Sequence, residues 1–541
     1  MRVKSILAIL FLMTAGLQPV LAQDIKTLMT IHKTDGTVSS VYVDEVDSIS
    51  FTQMNQVDTT GTIEPGEDAT LLTSLINRDE ECSLFYEALE ATGLCEVLDH
   101  RYKDEIWDST TYQSSEKVYD LPTFSQYCHL PNTRENGHTV MVCTNEVLDS
   151  LYGIHDLQGF YNFALSIYEG NTLDVDSESE ALRLEGCPLR KLLSYCIIDR
   201  KSTLERLTTL CSIDTLVAQP TEWYSTLLPL STIKVTKSED KTFLNMTSGM
   251  AGIRISEPKG NHSSGYGSYY LIDGLPLYND DCRLAFASER MRMDVYTLIP
   301  ELENVKMRSS KTATAPASAT KTNAISKSYF IPSDYLQSIS ASKETYMIYE
   351  NVHNVSQLYE GDGIWLCGRY DVTLKLPAVP KSGIYEIRLG YTAFPNPGIC
   401  QIYFGTDPNR LAATGIPINL GQDANAINLP WIPLTDDSYT DDQKSDSRHN
   451  MRNYGYMHGP ASVYNVCEPG LEDNIMYIDK RFCDNQSTLR SIIVRQTLND
   501  YNQYYLRLKS VMDGDKPICI DYIEIVSKNV YDNPETEEDI F

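Results

Sequence analysis

The residues in this chain best suited to chemistry are its tyrosines, 35 of them against 13 phenylalanines and four tryptophans. A tyrosine ring can stack on the C–H face of a sugar while its hydroxyl forms a hydrogen bond, so this aromatic set suits ligand capture. Strand parity picks out three positions. Cys400, Ile402 and Phe404 alternate with Gln401 and Tyr403, and Tyr504, Leu506 and Leu508 alternate with Tyr505, Arg507 and Lys509. Tyr403 and Tyr505 therefore fall on the polar faces of their strands. Trp365, in E-G-D-G-I-W-L-C-G, takes outward parity if the following strand extends back to it. Trp365, Tyr403 and Tyr505 are the candidate ligand-binding residues.

The usual catalytic patterns are missing: the sequence has no H-E-x-x-H, G-x-S-x-G, G-x-x-x-x-G-K or G-x-G-x-x-G. Its nine histidines are dispersed, and carboxylate neighbours such as Asp280-Asp281 and Asp436-Asp437 arise by chance among 74 acidic residues. No catalytic, cofactor-binding or metal-ligating residue is assigned. A glycoside hydrolase needs two carboxylates placed across a sugar by the fold, which keeps that enzyme class as an alternative. The net charge of -29 makes nucleic acid and anionic membrane poor partners, because both need clustered Lys and Arg. No D-x-D-x-D-G spacing supports calcium, although the acidity leaves that ion open.

These residues must be positioned by more than one body, since 541 residues exceed one ordinary core. Residues 1–22 read as a signal peptide: Arg2 and Lys4 precede the apolar run Ile6 to Met13, and Val20-Leu21-Ala22 offers small residues at -3 and -1. Removing its two cations takes the formal charge to -31. With no cysteine near that site, the expected product is exported, is not a lipoprotein, and has no transmembrane helix in the mature chain. Residues 24–53 contain a small β element turning at Asp35-Gly36, and 54–70 a linker. The 13 cysteines lack any C-x-x-C pair; Cys143, Cys196 and Cys400 lie in apolar runs, as core residues do.

From residue 71 to 282 the pattern is α+β. Leu71, Leu72, Leu75 and Ile76, then Leu84, Phe85, Ala88 and Leu89, form helical faces; so do Phe160 to Ile167, and Leu189, Leu192, Leu193, Cys196 and Ile197. At Thr139 to Leu151 the run Val140-Met141-Val142-Cys143 predicts a strand buried on both faces, stopped by Thr144 and Asn145 as a helix begins. Short strands are expected at Thr232 to Val235, Phe243 to Met246, Ile253 to Ile255 and Tyr269 to Ile272. Residues 283–308 read as a helical connector, one helix to Ile299 and another begun by Pro300, and 309–328 as a linker. Residues 329–528 read as an all-β antiparallel sandwich, jelly-roll-like, with strands around Val372, Ile387, Ile402 and Leu506; an acidic tail covers 529–541.

Thr139 to Asn145, T-V-x-x-x-T-N, and Gly267 to Leu275, ending I-D-G-L, resemble the two signature segments of the fasciclin (FAS1) domain, in order with the helices before and between them. The layout resembles exported fasciclin-domain proteins of the gut Bacteroidetes type. The resemblance implies adhesion, with an extracellular protein or glycan as partner. Many members carry a Tyr-His pair where this chain has Tyr195-Cys196, so the histidine's role does not carry over. Ile518 to Val526 resembles the closing strand of galactose-binding-like jelly rolls. Together these imply a non-enzymatic, extracytoplasmic adhesion or ligand-binding protein, with a glycan-binding accessory of a carbohydrate-uptake system as the alternative.

Overall fold

A computed structural model describes residues 28–32, 38–42, 70–100, 130–131, 133–208, 221–307, 327–351, 358–359, 362–393, 398–467 and 477–533. The expected leader, the linkers over 54–69 and 309–326, and the tail residues 534–541 lie outside the described residues. The chain divides into two compact units, Met1–Pro65 and Gly66–Phe541. In the first, β1 (Leu28–His32) pairs antiparallel with β2 (Val38–Tyr42), Leu28 opposite Tyr42.

The second unit begins with α1 (Leu72–Arg78), α2 (Ser83–Ala91) and α3 (Leu94–Leu98). They bury Leu72, Ile76, Phe85, Ala88, Leu89 and Leu98, all at helical spacing. Next come β3 (His138–Cys143), α4 (Asn145–Tyr152), α5 (Leu157–Ile167), α6 (Pro188–Tyr195) and β4 (Ile197–Ile198). Six strands follow: β5 (Thr221–Ser225), β6 (Thr232–Ser238), β7 (Lys241–Leu244), β8 (Ile253–Ser256), β9 (Ser263–Ser264) and β10 (Gly267–Ile272). One sheet holds them in the order β4-β3-β10-β8-β7-β6-β5, with β9 against β10. β3 is internal, parallel to β10 and antiparallel to β4, and Val140 to Cys143 are fully buried.

Thr144 and Asn145 divide their work in a way the sequence does not show. Thr144 caps α4, its Oγ1 accepting from the Val147 amide at 3.3 Å. Asn145 reaches across to another helix: Oδ1 accepts from Leu84 N at 3.1 Å, and Nδ2 donates to Ser83 Oγ at 2.9 Å and to the Glu80 carbonyl at 3.2 Å. It caps α2, whose own N-cap residue Cys82 makes no side-chain capping bond. Cys196 is buried and makes no surface site, while Tyr195 Oη donates to the Thr232 carbonyl at 3.0 Å.

The expected helical connector is corrected. Residues 280–304 form α7 (Asp280–Ala287), a strand β11 (Arg290–Asp294), and the short helices α8 (Val295–Leu298) and α9 (Pro300–Asn304). Met291 and Met293 alternate with Arg290, Arg292 and Asp294, a period-2 pattern concealed by good helix formers on either side. Pairing across a sheet decided the outcome.

That sheet belongs to the C-terminal half. Its elements are β12 (Lys327–Pro332), β13 (Ile339–Ala341), β14 (Thr345–Asn351), β15 (Asp362–Gly368), β16 (Asp371–Lys375), β17 (Gly383–Thr392), β18 (Ile399–Gly405), β19 (Ala412–Ala413) and β20 (Ile418–Asn419), then α10 (Asp441–Asn453), β21 (Tyr456–His458), β22 (Tyr464–Cys467), β23 (Tyr477–Arg481), β24 (Thr488–Leu498), β25 (Tyr505–Ser510), β26 (Ile518–Ile520), β27 (Tyr522–Ser527) and α11 (Lys528–Tyr531). A five-stranded sheet, β11-β27-β17-β24-β21, faces a six-stranded one, β13-β16-β25-β18-β19 with β20 against β18. Ile387, Leu389, Ile523 and Ile525 from the first meet Val372, Ile402, Leu506 and Leu508 from the second in one core. A third sheet, β12-β14-β15-β26, and the hairpin β22-β23 complete a β-rich, multi-sheet architecture with antiparallel pairing throughout this half.

The same core takes in Trp223, Phe286, Met291, Met293, Tyr296 and Leu302, while the α+β half keeps a second core of its own around Phe85, Val140, Val142 and Leu192. β11 pairs with β27 over its whole length, from Arg290 opposite Val526 to Asp294 opposite Tyr522.

The second face of the five-stranded sheet overturns a simple reading of alternation. Glu386 and Arg388 of β17 carry the polar parity, yet both are fully buried, as are Arg490 and Glu524. Glu524 accepts from Arg292 Nε at 2.9 Å, Arg388 Nη1 at 3.2 Å and Arg490 Nη1 at 3.3 Å. Glu386 accepts from Arg388 Nη2, and from Arg452 Nη2 of α10, at 2.7 Å each. Burial works against ionising Glu524, but Arg490, Arg292, Arg290 and Arg388 overcome it and hold the carboxyl well below its ordinary range.

Two predictions follow from this packing. Asn145→Ala is expected to cost about 1–2 kcal/mol in urea denaturation, by uncapping α2 rather than its own helix. Glu524→Gln is expected to cost about 3–5 kcal/mol, since it leaves buried arginines unmatched. Because the folded carboxyl titrates below its unfolded value of about 4.3, its contribution is complete above that pH and is lost as pH falls through the folded value. The acid limb of a stability–pH curve should therefore be shallower in Glu524→Gln than in the unaltered protein.

Candidate functional site

The six-stranded sheet turns its apolar parity inward and leaves its outer face open. Three neighbouring strands supply that face. Register sets Asp371, Lys509 and Gln401 in one row across β16, β25 and β18, then Thr373, Arg507 and Tyr403, then Lys375, Tyr505 and Gly405. With strands about 4.8 Å apart and about 3.4 Å of rise per residue, the patch spans about 10 Å by about 14 Å. Tyr403 and Tyr505 are half-buried on it, diagonal neighbours that both adjoin Arg507.

Charge organises the centre of the patch. Arg507 forks onto Asp371, Nε to Oδ1 and Nη2 to Oδ2 both at 2.6 Å, and Lys509 Nζ lies 3.1 Å from Oδ2. The Arg507 hydrogen bonds hold the Asp371 carboxyl below its ordinary range; partial burial opposes them and Lys509 assists. The guanidinium carbon sits 5.4 Å from the centroid of Tyr403, a cation–π contact that fixes the ring against the sheet. Gln401 Nε2 donates to the Gly415 carbonyl at 3.0 Å, anchoring the loop on which Ile416 is 86% exposed. The result is a flat, aromatic and hydrogen-bonding surface with two cations beyond its one carboxylate. Asp371, spent on Arg507 and Lys509, positions those cations and is not free to act as an acid or base.

Two of the three expected site residues therefore share a face, and the third does not reach it. Trp365 is only 5% exposed and packs with Tyr346, Ile348, Leu358, Cys367 and Cys519. Its strand β15 is internal to the four-stranded sheet and covered on both faces. The parity argument fails at Gly368, where φ is +73° and a β-carbon would come within 2.3 Å of the Glu344 carbonyl oxygen. The chain turns there, so β15 and β16 join different sheets and outward parity does not carry from one to the other.

No family model matches the chain, and no curated protein matches it. Alignments to solved structures have low overlap. A native family 35 carbohydrate-binding module from Clostridium thermocellum aligns over 37% of this chain and 98% of its own, at 9% identity and TM-score 0.15. A cycloalternan-forming enzyme from Listeria monocytogenes in complex with a pentasaccharide substrate aligns over 56% and 26%, at 12% identity and TM-score 0.17. TmCBM61 in complex with β-1,4-galactotriose aligns over 37% and 88%, at 6% identity and TM-score 0.10. At such scores these likenesses carry no argument, and the face stands on its own geometry.

Sequence reading did not single out Asp371, Thr373, Lys375, Gln401, Arg507 or Lys509. Each shares the outward parity of Tyr403 or Tyr505, which was the available signal. Which strands adjoin, and hence that Arg507 neighbours both tyrosines, is settled only by the register. Among the described residues no group of three His, Cys, Asp or Glu is arranged to hold a metal ion, and no helix is long and apolar enough to cross a membrane.

A contrast in stability checks this placement: Trp365→Ala is expected to cost about 3–5 kcal/mol as a core truncation, and Tyr403→Ala about 1 kcal/mol or less, both by denaturant titration.

Proposed function

We propose that this is an exported, non-enzymatic protein that binds extracellular glycans on the outer face of its six-stranded sheet. The observation that carries this reading is the register that sets both Tyr403 and Tyr505 next to Arg507, one across from it and one along its strand, backed by Asp371, Lys509 and Gln401. Stacking surface and directional donors then lie within one short-oligosaccharide footprint, the combination that sugar recognition needs. A protein-docking face would place its charged groups at a rim around an apolar centre; here the charge is central. For the helical half we keep the fasciclin-like reading as a proposal, supported by the two signature segments lying side by side, Thr139 opposite Ser268 and Cys143 opposite Ile272.

The test is a glycan array on the full chain followed by calorimetry with the best oligosaccharide. Tyr403→Ala and Tyr505→Ala should each weaken binding by about tenfold, a loss of about 1.4 kcal/mol, while their melting curves stay near that of the unaltered protein. Absence of binding across the array, or binding indifferent to both substitutions, would overturn the assignment.

A further inference from the structure

The helical half contains a cavity of about 680 Å³, within the size range of small-molecule sites. Its walls come from the α2–α3 turn, the chain entering β3, α6 and the segments after β4 and β5. Two arginines and two carboxylates line it, and the charges are not evenly matched. Arg183 pairs with Glu96 at 2.8 Å, and Asp199 is held by Arg200 Nε at 3.0 Å. Arg190, half-buried on α6, donates from Nη1 to the Thr92 carbonyl, and among the described residues no carboxylate neutralises it.

Gly93 explains how the two guanidiniums come together. Its φ of +71° turns the chain between α2 and α3, and a β-carbon placed there would lie 3.5 Å from Arg190 Nη1 and 3.6 Å from Arg183 Nη1. Both cationic groups therefore lie over the same bare stretch of backbone. His138, the first residue of β3, also lines the cavity, and its Nδ1 is buried without a hydrogen-bond partner among the described residues. Burial pushes that imidazole down to about 4, so it is neutral at physiological pH and retains one N–H to donate. Val97 and Leu227 add apolar lining to the cavity.

We propose that this cavity binds a small organic carboxylate, its carboxyl group held by the Arg190 guanidinium and its apolar body resting against Val97 and Leu227. A guanidinium offers a planar fork of donors that matches a carboxylate in a bidentate manner, and Arg190 has donors left after its single carbonyl contact. Of the remaining charges near it, Glu96 is occupied by Arg183 and Asp199 by Arg200. The site is separate from the sugar-binding face, so neither reading depends on the other.

Calorimetric titration of the full chain with hexanoate and benzoate, against hexanamide and benzamide, tests the assignment. The carboxylates should bind saturably and the amides should not. Arg190→Gln, which keeps a donor for the Thr92 carbonyl, should weaken carboxylate binding by about 10- to 100-fold while leaving the unliganded melting temperature within a few degrees. Arg190→Lys should keep part of the affinity, and Tyr403→Ala all of it. Should Arg190→Gln fail to fold, binding to the unaltered protein must still weaken with added sodium chloride. Equal binding of amides and carboxylates, no binding by any probe in the millimolar range, or affinity unaffected by Arg190→Gln would each overturn the proposal.

Discussion

The pairing of β11 with β27, sealed by the carboxylate of Glu524 among Arg292, Arg388 and Arg490, is the contact on which the rest of this structure depends. A buried carboxylate is costly unless matched, and here three strands of one sheet each contribute an arginine to it. One of those strands comes from the segment between the two halves. That segment could have been a tether; as an edge strand it commits Met291 and Met293 to the sandwich core and draws Trp223 and Phe286 in behind them. Further bonds tie the halves: Glu301 Oε1 accepts from the amides of Gln337 and Ser338 at 2.7 Å each, and Arg134 Nη1 donates to the Tyr335 carbonyl at 2.7 Å.

This arrangement decides which surface is left for recognition. The two facing sheets have the same binary pattern, apolar residues inward and polar ones outward. In the five-stranded sheet the outward set is consumed internally: Glu386, Arg388, Arg490 and Glu524 lie buried, with α10 contributing Arg452. In the six-stranded sheet the same parity stays accessible, Lys509 at 44% and Arg507 at 33% side-chain exposure. The sandwich thus has one structural polar face and one presenting polar face. The proposed sugar platform is on the second.

Much of the local structure was legible from residues alone. The helical faces of α1, α2, α5 and α6, the strand-to-helix junction at Thr144, and the inward sets of β16, β18 and β25 follow from spacing, because apolar burial with period 3.6 or 2 leaves a signature in any order of assembly. What failed did so for definable reasons. β11 was hidden because its charged residues are buried by ion pairs, and propensity sees charges as solvent-facing. Trp365 was misplaced because one glycine in the left-handed region reset the parity. Asn145 stands at the start of α4, yet the amide it caps, that of Leu84, lies 61 positions earlier in the sequence.

By itself, then, the sequence determined the periodicities, the stops and turns, the acidic balance, and the outward parity of Tyr403 and Tyr505. These depend on interactions within a few residues along the chain. The tertiary structure alone decided which strands are neighbours, which polar face is covered, that the connector is a strand of the sandwich, and that Arg183 and Arg190 meet over Gly93. Each of those is a long-range pairing in which the partner is distant along the chain, and a residue's alternation states which way it points without stating what it will meet.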